Sequence, residues 1–516
     1  MVRVLIFGTH PNQYNGYSKV VYELAKRTHD ATLPDGGKIE IGVFGFQNYP
    51  VNGALPEHRV DLPKDVFLFD AFANEDPKEQ GFGINVVAKA VAQFNPDVCV
   101  VYNDLLIVTS IVNKLAEIPD RKFKIVPYID QVYLNQRKVY MDVVNAKADA
   151  AILFTEHWKK VIIENGLTVK DTYVLEHGFD AAKNYPIPKS VARTYLGLNQ
   201  NDFLILNLNR NQPRKRWDTC LKAFADIVSR MPDEPIKLIV GTAVQGSWDL
   251  MEIYERELKK RGVTLATGMQ HLVLLDSPQK LSDFDVNILY NVADIGINTC
   301  DGEGFGLCNF EQAAIGVPQV VPRLGGFIDF FTDENCMFVD PSIAYYVDMS
   351  RDNVCGEALM CSYTDFVMAI ENYYNDRNNI KLHGEACRKE LPVKYDWTKI
   401  AAKFVDIVAS VTAPPPPLPP PPVDAAASSN AIPAEQPTEQ PTEQPTVSVT
   451  LASIDGTQEK PADDLSDVFQ NSSTTTPPPP AKKKTSKKSQ KMTKADLIKM
   501  RETLDALISE QIAEVE

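Results

Sequence analysis

The chain has 516 residues, is 44% hydrophobic and carries a formal net charge of −15. That length exceeds what one hydrophobic core organises, so two domains with additions are expected. The acidic balance excludes a protein that coats nucleic acid wholesale. The eight cysteines show no C-x-x-C spacing and sit mostly in apolar runs, which points to buried free thiols in a reducing compartment. No apolar run reaches the ~18 residues of a membrane span, and Met1 leads directly into an apolar strand rather than a secretory signal. A cytoplasmic protein is expected.

Val2–Phe7 reads as a buried strand, followed by the loop Gly8–Ser18 and a helix with an apolar stripe at Val20, Val21, Leu24 and Ala25. Strand, glycine-containing loop and helix form the opening unit of a doubly wound α/β domain. The dinucleotide fingerprint G-x-G-x-x-G is absent, which removes the main support for a dehydrogenase. Asn15-Gly16 at the mouth of the helix can bring a backbone amide to a phosphate, or can be an ordinary turn. Strands at 38–44, 96–101, 122–128, 148–154 and 170–175 alternate with helices at 84–94, 107–115 and 136–145, as a parallel sheet with covering helices requires. Asn184–Lys189 contains Pro186 and Pro188, which disfavour helix or central strand, and reads as a linker.

Phe203–Leu208 starts a second α/β domain. After it, Asn209–Asp218 carries four cations in seven residues, Arg210 to Arg216, and leads into a helix over 220–227. In an open α/β sheet, ligands sit outside the carboxyl ends of strands, so Arg210 and Lys215 are placed to clamp a pyrophosphate; a plain basic loop is the alternative. Further units are the strand 236–240 with the helix 250–260, the strand 272–275, and the helix 283–291. Asp283-Phe-Asp285 has the spacing of a metal-binding pair, but acidic residues in a helix's first turn are ordinary, and no metal role is assigned to it.

The strand Asp294–Asn298 feeds Asp301-Gly-Glu-Gly-Phe-Gly-Leu-Cys-Asn-Phe-Glu311, which opens a helix expected from Asn309 to about Ile315. A glycine-rich turn lets backbone amides approach a ligand, and the helix N-terminus favours an anion. Glu303 in the turn and Glu311 in the expected first helical turn bracket that site. Carboxylates beside an anion site suit neutral hydroxyls. A nucleotide-sugar offers both, since its pyrophosphate is flanked by a ribose diol and a hexose. The strand Pro318–Pro322, the turn Arg323–Phe327 and a final helix capped by Asp396 complete the body.

In this order the motifs resemble retaining nucleotide-sugar glycosyltransferases of family 4, which have the two-domain GT-B architecture. The resemblance covers roughly residues 1–411 and rests on Glu303-Gly-Phe-Gly-Leu…Glu311, Tyr290–Asp294, Arg210 with Lys215, Val174–Asp180 and Asp396-Trp397. It implies an α/β fold of two Rossmann-like domains facing across a cleft. The acceptor-side domain would be 1–190, the donor domain 195–395, and a helix at 396–411 would cross back to the first. It implies that Glu311 holds the ribose hydroxyls and Glu303 contacts the transferred sugar. The amides of Gly304, Phe305, Gly306 and Leu307 would face donor hydroxyls and phosphate, with Gly16 across the cleft at the pyrophosphate. Arg210 and Lys215 would bind that pyrophosphate, with no metal or other cofactor. The substrate would be a UDP- or GDP-sugar, the acceptor a glycan, protein-linked glycan or lipid hydroxyl. Two residues depart from the family pattern. A glycine pair is here Asn15-Gly16, and a histidine after a mid-domain strand is here Asp130, which would contact the sugar, act as a local base or be a structural turn residue.

Residues 412–492 carry Pro414–Pro422, three Glu-Gln-Pro-Thr repeats at 435–446 and a lysine-rich run from Lys482. This composition cannot bury enough apolar surface to order itself and reads as a disordered, partly polyproline-II linker, with weak anionic-surface contact through the lysines. Residues 493–516 show a stripe at Leu497, Met500, Leu504 and Leu507, about two heptads, expected to become a stable helix only on a protein partner. The style of the tail is similar to that of proteins of large DNA viruses. Two other functions remain open from the residues: another GT-B activity, such as a sugar phosphorylase or nucleotide-sugar epimerase, and a non-catalytic sugar-binding scaffold with a recruiting tail.

Overall fold

A computed structural model describes residues 1–414 except 51–52, 57–58, 60, 79, 276–280, 350 and 352–353. The expected proline-rich linker and terminal amphipathic helix lie outside the described residues.

Two parallel sheets carry the described chain. The first has seven strands in the order β3-β2-β1-β4-β5-β6-β7, formed by β1 (Val2–Thr9), β2 (Ile39–Phe46), β3 (Phe67–Asp70), β4 (Val98–Asp104), β5 (Lys124–Asp130), β6 (Ala151–Leu153) and β7 (Thr172–Val174). The second has six in the order β10-β9-β8-β11-β12-β13, formed by β8 (Phe203–Asn207), β9 (Ile236–Val240), β10 (Leu272–Leu274), β11 (Ile295–Ile297), β12 (Gln319–Pro322) and β13 (Met337–Val339). The order reverses between β1 and β4 in one sheet and between β8 and β11 in the other. At such a switch point the loops leave the carboxyl ends in opposite directions and open a crevice. The loops that follow β1, β8 and β11 are the ones that carry Gly16, the cation run and the Glu303 turn.

The near-continuous apolar runs of these strands follow from burial on both faces: Val4 to Phe7 and Leu204 to Leu206 are all at most 1% exposed. Asn15 caps the first helix (Gly16–Thr28), its side chain accepting from the Ser18 amide while Ser18 answers the Asn15 amide. Ser282 and Asp285 form the same reciprocal cap on the helix Asp283–Val292, which gives the Asp283-Phe-Asp285 pair a structural role. The final helix, Trp397–Thr412, packs on the first helix. Its start is tied to the turn after β7, where Phe179 N donates to Tyr395 O at 2.7 Å and Trp397 N to Phe179 O at 3.4 Å. Gly178 is needed there, because a Cβ would lie 2.4 Å from the Trp397 ring.

Several elements differ from the sequence expectations. The stretch 184–188 is neither helix nor strand, as its prolines imply, but it is held in place: Tyr185 N donates to Asn287 Oδ1 and Ile187 N to Asn291 Oδ1, and an unexpected helix, Lys189–Tyr195, follows. The strand β3, the helix Glu156–Glu164, the helices Tyr363–Asn375 and Arg377–Lys394, and an antiparallel hairpin of β14 (Pro341–Val347) and β15 (Gly356–Cys361) were not anticipated. Ile343 and Tyr346, on opposite faces of β14, are both in water, so its pattern does not alternate as a half-buried strand should. All eight cysteines are free thiols, seven buried and Cys308 partly so. No described helix is long and apolar enough to cross a membrane.

Candidate functional site

A cleft of about 1070 Å³ runs between the carboxyl ends of the two sheets. Its lining includes Gly16, Asp130, Arg210, Lys215, Glu303, Phe305, Gly306 and Leu307; Gly304 and Glu311 are not among its lining residues. The helix that follows the Glu303 turn spans Leu307–Ala314, two residues earlier than the sequence suggests. Gly306, at φ 87°, turns the chain into the helix at once, and a Cβ there would also meet the Phe327 ring at 2.3 Å. Glu311 therefore lies in the second helical turn, not the first.

Glu303 is 6% exposed and surrounded by donors. Lys215 Nζ and Asn298 Nδ2 (3.3 Å) reach Oε2, and Arg214 reaches Oε1 at 3.3 Å. Burial acts to raise its pKa, but Lys215 and Arg214 together outweigh that and hold the carboxyl below its ordinary value. Beneath it runs a buried amide chain. Asn298 Nδ2 donates to Asn309 Oδ1 (2.9 Å), Asn309 Nδ2 to Gln319 Oε1 (2.8 Å), and Gln319 Nε2 to Gln312 Oε1 (3.1 Å). Satisfied networks of this kind fix side-chain positions in a low-dielectric interior. Gly296 makes room for it, since a Cβ there would sit 2.2 Å from both glutamine oxygens.

Of the four cations after β8, three are already committed. Arg214 donates to Gly302 O at 2.8 Å as well as to Glu303, Lys215 holds Glu303, and Arg216 pairs with Asp218 at 2.7 Å and Asp301 at 3.4 Å. Arg210 differs: it opens to the cleft and has no carboxylate within ion-pair distance among the described residues. Water reaches it although protein rings it. That crowding, and then the like charge of Arg214, lower its pKa.

The facing wall comes from the first sheet. Asp130, 8% exposed at the end of β5, receives the Tyr17 hydroxyl at 2.5 Å on Oδ2, while its Oδ1 is buried without a hydrogen-bond partner. Burial raises the Asp130 pKa; the charge of Arg214 and the Tyr17 hydrogen bond oppose this without cancelling it. A Cβ on Gly304 would lie 1.9 Å from that free oxygen, so only glycine fits opposite it. His177 stacks between Phe154 (centroids 4.4 Å) and Phe305 (4.7 Å), and burial brings its pKa down to about 3.

The halves are joined around the cleft. Trp158 Nε1 donates to Gly304 O at 2.8 Å, and Leu134 and Glu357 exchange backbone hydrogen bonds at 3.1 and 2.7 Å. Lys19, on the first helix, reaches Glu311 Oε1 at 2.6 Å, and Tyr290 donates to Oε2 at 3.1 Å. Tyr17, Lys19, Arg214 and Trp158 are not among the candidates that the sequence motifs point to. Arg214 lies inside the conspicuous basic run, but the other three carry no local signal; their partners are 113 to 292 residues away in the chain.

Residues 189–347 match the family described as Glycosyl transferases group 1. A D-inositol 3-phosphate glycosyltransferase of Rhodococcus erythropolis is 27% identical over 158 residues, 30% of this chain and 33% of that protein. The mannosylfructose-phosphate synthase of Agrobacterium fabrum is 24% identical over 204 residues, 39% of this chain and 43% of that one. The chain thus spans about a third of the length of the first of these curated relatives and less than half of the second. Among solved structures, the sucrose-phosphate synthase of Thermosynechococcus elongatus aligns with TM-score 0.59 at 15% identity, over 80% of this chain and 99% of that one. Anabaena HepE in complex with UDP-glucose aligns with TM-score 0.57 at 16% identity, over 80% and 100%. At such identity the likeness is one of fold, and the two facing parallel-sheet halves are the GT-B architecture that the motifs imply. None of the proteins named here is from a virus, so the viral style of the tail gains no support from them.

Proposed function

We propose that the protein is a glycosyltransferase that moves a hexose from a nucleotide diphosphate sugar to an acceptor hydroxyl with retained anomeric configuration, in the cytoplasm. The observation that carries this is Arg210, an uncommitted guanidinium open to a cleft whose other cations are already paired with carboxylates. A pyrophosphate is the ligand that such a cation, at the carboxyl ends of a doubly wound sheet, is suited to hold. Gly16 at the start of the first helix and Gly306-Leu307 at the start of another supply unpaired amides, so the donor's charge is met without a metal ion. Of the two solved neighbours named above, one was seen with UDP-glucose, which favours a nucleotide-sugar donor here.

In the reaction, the bond from the sugar's anomeric carbon to the pyrophosphate oxygen breaks and a bond from that carbon to the acceptor oxygen forms on the same face. The acceptor's proton passes to the departing phosphate oxygen. Arg210 and the amides stabilise the charge that develops there. Glu303 contacts the transferred sugar, and Glu311 the ribose. The leaving group is thus its own base, consistent with a site in which Glu303 is held ionised by Lys215 and Arg214.

A panel of UDP- and GDP-sugars, read by nucleoside diphosphate release and by thermal protection, tests this proposal. Release stimulated by acceptor, and unchanged by a metal chelator, is expected. Release of sugar phosphate instead would point to a phosphorylase. Protection by no nucleotide-sugar would sink the proposal.

A further inference from the structure

Charge is divided unevenly across the cleft. Every Lys and Arg among its described lining residues, namely Arg210, Arg214, Lys215 and Arg351, comes from the second half of the chain. The first half contributes Tyr14, Tyr17, Phe82, Asp104, Asp130 and His177 among others, and no Lys or Arg. The residues of that half not described by the structure, 51–52, 57–58, 60 and 79, include no Lys or Arg either. The nearby cations of the first half are committed elsewhere. Arg59 donates to Pro11 O and Gln13 O at 2.7 and 3.1 Å and stacks on Tyr14, and Lys19 is bound to Glu311. His177 stays neutral down to about pH 3.

Arg351, the remaining cation of the cleft, is bound to Asp301 at 2.5 Å and to the Tyr345 hydroxyl. Once Arg210 faces the donor pyrophosphate, no uncommitted cation remains among the described lining residues for a second anion. A phosphate or carboxylate on the acceptor would instead meet Asp130 and Asp104. In a desolvated site, like charges a few ångströms apart repel far more than in water. Sugar hydroxyls reverse that balance. Asp130 lines the cleft, and its Oδ2, which takes the Tyr17 hydroxyl, has a second lone pair for one, while tyrosine and phenylalanine rings can cover the apolar face of a pyranose.

Resting on the transferase reading above, we infer that the acceptor is an uncharged sugar or polyol, bound through hydroxyls to Asp130 and against the tyrosine-rich wall, and that phosphorylated and uronic-acid acceptors are excluded. This assigns Asp130 to acceptor selection as a binding group.

The test uses the full chain with its best nucleotide-sugar donor. Methyl glycosides of common hexoses and pentoses are compared with the same sugars' 6-phosphates and with uronic acids. Nucleoside diphosphate release is followed, together with saturation-transfer NMR on the protein loaded with nucleoside diphosphate. Neutral sugars should bind and should stimulate release at least tenfold more than their charged counterparts. In Asp130→Asn, which removes one negative charge from that wall, the preference should narrow severalfold, an effect that a purely structural residue would not have. Equal or greater use of the phosphorylated sugars, no binding of any neutral sugar, or an unchanged preference in Asp130→Asn overturns the inference while leaving donor chemistry intact. If the protein binds no nucleotide at all, the transferase reading itself fails, and this inference with it.

Discussion

Arg210 and Lys215 sit five residues apart in one basic run, yet the structure gives them different states. Lys215 is paired with Glu303, which Arg214 shares, whereas Arg210 has no ionic partner among the described residues. Replacing Arg210 by Gln should therefore leave folding nearly unchanged while lowering kcat by about 10²–10³, the range for removing one charge-stabilising donor. Matched unfolding curves with undiminished turnover would remove it from the site. His177 is a buried residue whose ionisation bears on stability. Its folded pKa, about 3, lies below the 6.5 of a free histidine. Its contribution is complete above about pH 6.5 and is lost as pH falls, by up to about 1.4 kcal/mol per pH unit. In His177→Phe the fall in Tm between pH 6.5 and 4.5 should flatten; an unchanged slope would show that other groups govern it. Glu303, with its pKa held down, adds loss in the same direction only at lower, carboxylate pH.

Most strands and helices of the two sheets were legible because burial on both faces imposes continuous apolar runs, and because caps such as Asn15/Ser18 and Ser282/Asp285 have local sequence signatures. The hairpin β14–β15 and the helix Glu156–Glu164 were not, since one carries exposed apolar residues and the other only three buried positions among its nine. The start of the helix Leu307–Ala314 was misjudged for a different reason. A left-handed glycine can begin a helix without a side-chain cap, and nothing at Gly306 announces it. Gly306→Ala should cost about 2–4 kcal/mol, combining the left-handed backbone penalty with overpacking against Phe327. Denaturant midpoints at unchanged m-value measure it, and a shift under about 0.5 kcal/mol would contradict the described turn.

For the molecule as a whole, the contacts between halves decide access to the site. The Lys19–Glu311 pair ties the first helix to the helix that carries the expected ribose ligand, with side chains 16% and 4% exposed. Removing one partner of a buried pair is costly, so Lys19→Met should lower Tm clearly. A nucleotide ribose would give Glu311 new donors, so saturating nucleoside diphosphate should raise the Tm of Lys19→Met more than that of the unaltered protein. A rise no larger than in the unaltered protein would dissociate Glu311 from the ribose.

By itself the sequence determined the fold class, most strands of the two sheets, the basic run after β8 and the glycine-rich turn with its two glutamates. These are local patterns of burial, spacing and turn chemistry. Only the tertiary structure decided which cations are committed, that Lys19 reaches Glu311 and Tyr17 reaches Asp130, and that one wall of the cleft is cationic while the other is aromatic and acidic. Those facts depend on pairs up to 292 residues apart, brought together by the facing of two sheets, and no local pattern encodes them.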